Sequence, residues 1–150
     1  MQAKSIAGAC LCGEIAFSVD LPSLFCGHCH CTLCQRNHGA GFVTWFAVPK
    51  DQFSLDRGDS MLMRFASSEH GSRSFCGRCG SSLFCESSHH PEKIDIVLAN
   101  MQQSIDRAPQ VHVFFDERSE WMPVDDVLPR LGGVTGMEPV KPDGDEDDTA

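Results

Sequence analysis

The apolar residues of this chain gather in short runs rather than in long helical stripes. Six β-like runs stand at 15–19, 42–48, 61–65, 81–84, 94–98 and 111–115, with Gly, Pro, Asp or Ser residues between them. Short runs punctuated by turn formers predict an antiparallel all-β domain. Helical signal is confined to 32–38, which opens on Thr32 as a potential cap. No stretch reaches the roughly 18 apolar residues of a membrane helix, so no membrane partner is expected. From 132 onward the chain holds Gly, Pro and acids and little that could pack. That composition predicts a flexible acidic tail. The expected organisation is one domain, 1–131, long enough for a core, followed by the tail, 132–150.

Charge narrows the functional classes. The chain has 21 acidic and 12 basic side chains, a net of −9. Six of the acids and one Lys lie in 138–150, leaving 15 acids against 11 bases before it. Phosphate-binding surfaces are basic, so a zinc-ribbon nucleic-acid binder is disfavoured. Residues 1–10 carry one Lys and a short mixed run, not the pattern of a secretory signal. Nine cysteines are many for this length, and an odd number does not suit a disulfide scaffold. Reduced thiols in the cytoplasm are expected.

Those cysteines fall into groups. Cys10 and Cys12 form a C-x-C pair, and Cys76, Cys79 and Gly80 a C-x-x-C-G knuckle. Two thiolates three positions apart across a tight turn can point at one metal, with turn N–H groups donating to the sulfurs and Gly supplying the backbone angles. A knuckle gives two ligands and a closed structural zinc site takes four. The C-x-C pair is the natural other half, which predicts a structural site of Cys10, Cys12, Cys76 and Cys79.

Between them lies a dense cluster, Cys26, Cys29, Cys31 and Cys34, with His28 and His30 interleaved. Cys29, Cys31 and Cys34 are close enough to share one ion. Three thiolates would leave a fourth position open, as in catalytic zinc sites, whereas Cys26 or a His as fourth ligand would close it. Spacing alone leaves both arrangements open. Cys26 to Cys29 also has the C-x-x-C form of a disulfide-exchange site, but without the βαβ setting such a site needs.

The remaining candidates have plainer readings. Trp45, Phe46, Phe65, Phe84 and Phe114 are expected in the core. His89 and His90, ahead of Pro91, read as a surface loop. His112 lies in an apolar run and is expected to be a hydrogen-bonded structural histidine. Arg73 reads as a solvated strand residue, and Cys26 and Cys85 as small apolar side chains.

A set of ordered motifs carries a resemblance. They are Cys10-x-Cys12-Gly13, Cys29-His30-Cys31-x-x-Cys34 with Gly39, Phe65-x-Ser67-Ser68, and Arg73-x-Phe75-Cys76-x-x-Cys79-Gly80. Pro109-x-x-His112, Trp121 and Asp125-Asp126-x-Leu128-Pro129 follow. From about Gly8 to Pro129 the chain resembles the glutathione-dependent formaldehyde-activating enzyme family. The resemblance implies a β-tent fold with two zinc ions. One is structural, on Cys10, Cys12, Cys76 and Cys79; the other is catalytic, on Cys29, Cys31 and Cys34. It also implies a carbon–sulfur lyase-type reaction on a small thiol such as glutathione, joined to formaldehyde. Arg36, Arg64 and Arg73 are the local cations available to an anionic thiol. The chain differs from the family pattern at Gln35, where a base is usual, at Phe65, where Tyr is usual, and at Met101-Gln102-Gln103, where acids are usual. All three differences lie outside the cysteine elements. The alternative function is a non-catalytic zinc-binding protein-interaction module.

Overall fold

The computed structural model describes residues 4–140. In order, the chain forms β1 (Ser5–Ala9), β2 (Ala16–Asp20), β3 (Phe25–Cys29), α1 (Thr32–His38), β4 (Val43–Pro49), β5 (Phe53–Arg57) and β6 (Leu62–Ala66). There follow β7 (Gly71–Cys76), β8 (Ser82–Ser87), β9 (Lys93–Val97), β10 (His112–Val113), β11 (Leu131–Gly132) and β12 (Glu138–Pro139). The domain is all-β, as expected, with a single α-helix among the described residues. Six strands lie wholly outside the predicted runs: β1, β3, β5, β7 and the two short C-terminal strands β11 and β12.

Period-two alternation builds the sheets. In β2, Phe17 and Val19 are buried while their neighbours are partly open. β2 pairs antiparallel with β1 and β5 to make a three-stranded sheet. The other sheet has seven strands in the order β10-β3-β4-β9-β8-β7-β6. It is antiparallel except at its end, where β10 lies parallel to β3.

The seven-stranded sheet has a core on each face. On one face Phe46, Val48, Phe84, Ile94 and Ile96 meet Ile6, Ile15, Phe17 and Val19 of the smaller sheet. Each such buried side chain contributes about 1.5–3 kcal/mol. On the other face Val43, Trp45 and Val97 pack with Cys34 of α1 and with Val111 and Val113. Cys10, Cys76 and Cys79 belong to the first face, and Cys29, Cys31 and Cys34 to the second. The sheet therefore separates the two cysteine groups.

Two aromatic expectations change. Phe65 is 61% exposed, because its strand β6 is the sheet's edge and nothing covers that face of it among the described residues. Phe114 is only partly buried and adopts φ 50, where the chain leaves β10 for a 3-10 turn. Part of the expected tail has structure. β11 pairs antiparallel with β12, and Met137 reaches a cavity wall beside Phe114. The rest of that expected tail, residues 141–150, lies outside the described residues. No described helix is long and apolar enough to cross a membrane.

Candidate functional site

The first group is assembled from two turns. Cys10, Cys12, Cys76 and Cys79 bring four sulfurs within 4.8 Å of one another. Cys10 Sγ to Cys12 Sγ is 3.6 Å, and Cys12 Sγ to Cys76 Sγ is 3.8 Å. A tetrahedral zinc with bonds of ~2.3 Å sets its sulfurs about 3.8 Å apart, so the donors fit such an ion. Backbone N–H groups support the sulfurs: Ile15 donates to Cys10 Sγ at 3.3 Å and Cys79 to Cys76 Sγ at 3.5 Å. Gly80, at φ 79, turns the knuckle where a side chain would be strained. Ser81 joins the two halves. The Leu11 N–H donates to its oxygen at 2.9 Å, which leaves its hydroxyl proton for Cys79 Sγ at 3.2 Å. That hydrogen bond, with backbone donors, lowers the Cys79 thiol to about 5.

The second group is local. β3 ends on Cys29, Cys31 caps α1, and Cys34 lies one turn in. Thr32 is not the cap. The Cys31 sulfur accepts the Cys34 N–H at 3.3 Å, in the place where a capping hydroxyl would act. The cap orients this sulfur toward the other two. All three sulfurs lie within 4.8 Å, with Cys34 Sγ to Cys29 Sγ at 3.6 Å. The group again fits a thiolate-loving ion such as zinc, now with three protein ligands. No His, Asp, Glu or further Cys joins either group among the described residues.

The candidates for a fourth ligand go elsewhere. Cys26 is fully buried in the opposite core, because positions 26 and 29 of one strand point to opposite faces. The same geometry removes the disulfide-exchange reading. His28 Nδ1 bonds Thr44 Oγ1 at 2.8 Å. His30 Nε2 bonds His112 Nδ1 at 2.8 Å, and His112 Nε2 bonds the Asp126 carboxylate at 2.9 Å. The carboxylate accepts, so His112 donates from Nε2 and accepts from His30. Burial, then the neighbouring His112, pushes His30 down to about 4, which keeps it neutral. His112 is thus hydrogen-bonded through both ring nitrogens and links the C-terminal segment to the residue between Cys29 and Cys31.

Arg73 departs from the sequence expectation. It is 7% exposed, and its two terminal nitrogens donate to Cys34 Sγ at 3.5 and 3.4 Å. Nε reaches Ser67 Oγ at 3.2 Å, and the guanidinium lies 5.9 Å from the Trp45 ring centre. The Cys34 thiol is pushed down to about 2, by hydrogen bonds from Cys29 and Cys31 first and by Arg73 after them. Cys29 moves strongly upward, because it shares protons with the same two sulfurs in a buried place. Within the trio negative charge is favoured at Cys34, and the Arg73 guanidinium beside it stabilises that charge. Gln35 braces the backbone around the trio. Its amide donates to the carbonyls of His30 at 2.6 Å and Glu117 at 2.9 Å. Glu117 in turn accepts from the Thr32 N–H and hydroxyl at 3.1 and 3.2 Å.

The three sulfurs line a cavity of about 320 Å³ with Phe25, Leu33, Trp45, Arg73, Cys85 and Asp95 among its walls. A neighbouring cavity of about 420 Å³ shares Leu33 and Arg73 and adds Arg36, Asn37 and Ser67. Arg64 lines neither of them. His89 stacks near His70, with ring centres 4.0 Å apart, in the exposed loops at the far ends of β6 and β8.

The sheets and the two sulfur groups define an all-β domain with two thiol sites able to hold metal ions. Residues 5–117 match the family model described as glutathione-dependent formaldehyde-activating enzyme, and the chain belongs to that family. A Halomonas elongata protein that carries the same family name is 24% identical over 136 residues, covering 80% of this chain and 81% of its own. The fold also resembles a crystal structure of a Rhodobacter sphaeroides protein, with TM-score 0.58 at 20% identity. That match covers 68% of this chain and 93% of the other.

Proposed function

We propose that this chain is a zinc-dependent carbon–sulfur lyase-type enzyme whose chemistry takes place at Cys29, Cys31 and Cys34. On this reading Cys10, Cys12, Cys76 and Cys79 hold a separate, structural zinc. The observation that carries it is the ligand count on either side of one sheet. Four sulfurs complete a tetrahedral site, whereas three leave room for an outside ligand, and those three line a cavity. The reaction is the joining of a small thiol to formaldehyde, and its reversal. Glutathione, the thiol of the family name, is the first candidate. A zinc ion bound there supplies Lewis-acid activation and favours the thiolate form of the substrate.

The protein's own residues do the rest. Arg73 steadies the charge on Cys34 through two N–H donors. Phe25, Trp45 and Leu33 offer apolar walls against the thiol's carbon chain. The adjoining cavity gives a longer thiol somewhere to extend, and Arg36 there can meet a carboxylate. All nine cysteines are free, which suits the reducing cytoplasm.

Two measurements test the reading. Reduced protein is expected to carry two zinc equivalents, one of which a chelator removes first. Cobalt-substituted protein is then titrated with glutathione, and its visible spectrum should change as the sulfur enters the coordination shell. A single equivalent at full loading, or a spectrum unmoved by glutathione and by smaller thiols, overturns it.

A further inference from the structure

Asp95 is a carboxylate in a place that gives it little structural work. It sits on β9, inside the seven-stranded sheet, and lines the same cavity as Cys29, Cys31 and Cys34. Its side chain is 26% exposed. Its only side-chain partner among the described residues is Lys93, whose Nζ lies 3.1 and 3.2 Å from the two oxygens. Lys93 is two positions earlier on the same strand, so the pair ties β9 only to itself. Other carboxylates here do fasten the fold. Asp106 accepts from Ser23, Asp116 from the Gly133 N–H, and Asp126 from His112. A carboxylate has about four acceptor positions, and one ammonium leaves Asp95 with capacity facing the cavity.

Sheet register explains how it gets there. Phe65 stands opposite Arg73, Arg73 opposite Cys85, and Cys85 opposite Asp95. These four therefore form one row across one face of the sheet. Arg73 is at the Cys34 sulfur, and Asp95 is two strands further along the same row.

We propose that Asp95 is the proton carrier of this pocket, a catalytic residue that takes the proton of the incoming thiol and returns it to the aldehyde oxygen. The inference rests on the thiol–aldehyde reaction proposed above. The thiol S–H bond breaks and its proton passes to the Asp95 carboxylate. A sulfur electron pair forms the C–S bond to the carbonyl carbon, and the C=O π pair moves onto oxygen. That oxygen then takes the proton from Asp95, which ends as it began. No oxidant, reductant or net proton is required, and the reverse sequence cleaves the adduct. Burial raises the Asp95 carboxyl above its usual range, against the opposing pull of Lys93. The charged and titratable groups around it are Lys93 on its own strand, Cys85 on β8, Arg73 on β7, His90 ahead of β9, and Cys29, Cys31 and Cys34 across the cavity. Its β4 neighbour is Ala47.

The test compares the zinc-loaded wild type with Asp95→Asn and Asp95→Glu. Asp95→Asn should lower turnover of thiol plus formaldehyde by about 100-fold or more. It should leave the thiol-induced spectrum of the cobalt form intact and flatten the acid limb of the pH–rate profile. Asp95→Glu, which keeps the carboxyl, should recover part of the rate and all of the pH dependence. Asp95→Asn with wild-type turnover and an unchanged profile overturns the proposal while sparing the proposed function. So does an Asp95→Asn loss that Asp95→Glu does not relieve. A wild type that binds thiol but turns over no thiol–aldehyde pair overturns both.

Discussion

Two cysteine groups stand on opposite faces of one sheet, and they are held by different means. The four-sulfur group draws on the segment between β1 and β2 and on the turn after β7, with Cys12 and Cys76 64 positions apart. The three-sulfur group lies in one continuous stretch, from the end of β3 into the first turn of α1. The first closes a long loop, and its supporting donors are backbone N–H groups and Ser81. The second closes almost none, and its neighbours are a buried Arg and a cavity. Loop closure contributes to stability, whereas a local cluster adds little of that kind. One residue type can thus tie distant segments together in one place and line a cavity in the other.

The strongest way to break this comparison is to remove one ligand from each group. A structural zinc contributes on the order of 10 kcal/mol or more, against a domain stability of about 5–15 kcal/mol. Cys79→Ser should therefore leave the chain unfolded or insoluble, as circular dichroism and sedimentation would report. Cys31→Ser should stay folded, bind one metal equivalent fewer and lose thiol-dependent turnover. If Cys31→Ser unfolds as completely as Cys79→Ser, the two groups are both structural. A folded, fully active Cys31→Ser protein would falsify the placement of the chemistry.

Arg73→Met sharpens the contrast at smaller cost to the fold. It removes the two N–H donors to Cys34 and should weaken metal at the three-sulfur group by about 10–100-fold. Chelator competition should find the four-sulfur group unchanged; equal weakening of both would refute the separation by the sheet. Ser81→Ala is the mirror experiment on the other face. Losing the bridge between Leu11 and Cys79 should lower stability by about 1 kcal/mol, read from the denaturant midpoint, with turnover unaffected. Phe65→Ser should move stability by no more than about 0.5 kcal/mol, because that ring is exposed on an edge strand. A larger loss would mean that β6 is covered by something.

What the sequence makes legible follows the same division between local and distant. The groupings of cysteines are legible because ligand spacing is a local property: C-x-C, C-x-x-C-G and C-x-C-x-x-C each sit within one turn or strand end. Arg73 is legible as a motif residue and a local cation, but its contact with Cys34 is not, since only the pairing of β6, β7 and β8 puts it on that face. Ser81, Asp95 and Glu117 are hidden for the same reason: each meets its partner or its cavity through tertiary contacts. Asp126 does stand in a motif, yet nothing local ties it to His112, 14 positions away. Strand β3 is hard to see because its sequence, Phe-Cys-Gly-His-Cys, has little β-propensity. Its Gly27 is there for space. A Cβ at that position would meet the Phe25 ring at 2.6 Å and the Val111 carbonyl at 3.0 Å, where the chain runs alongside.

The cap of α1 has a consequence for how this molecule can be watched. A sulfur that closes the first turn of a helix is also one of the three that gather beside the cavity, so anything that captures that sulfur also tugs on the helix. Alkylation of Cys31 would strip the acceptor from the Cys34 amide, and that amide should then exchange its hydrogen with solvent faster. A metal ion on the trio would do the reverse, slowing exchange by fixing the sulfur in place. The backbone amide of Cys34 is therefore a built-in gauge, one whose deuterium uptake reports whether the neighbouring sulfurs are free, blocked or loaded without any need to follow turnover.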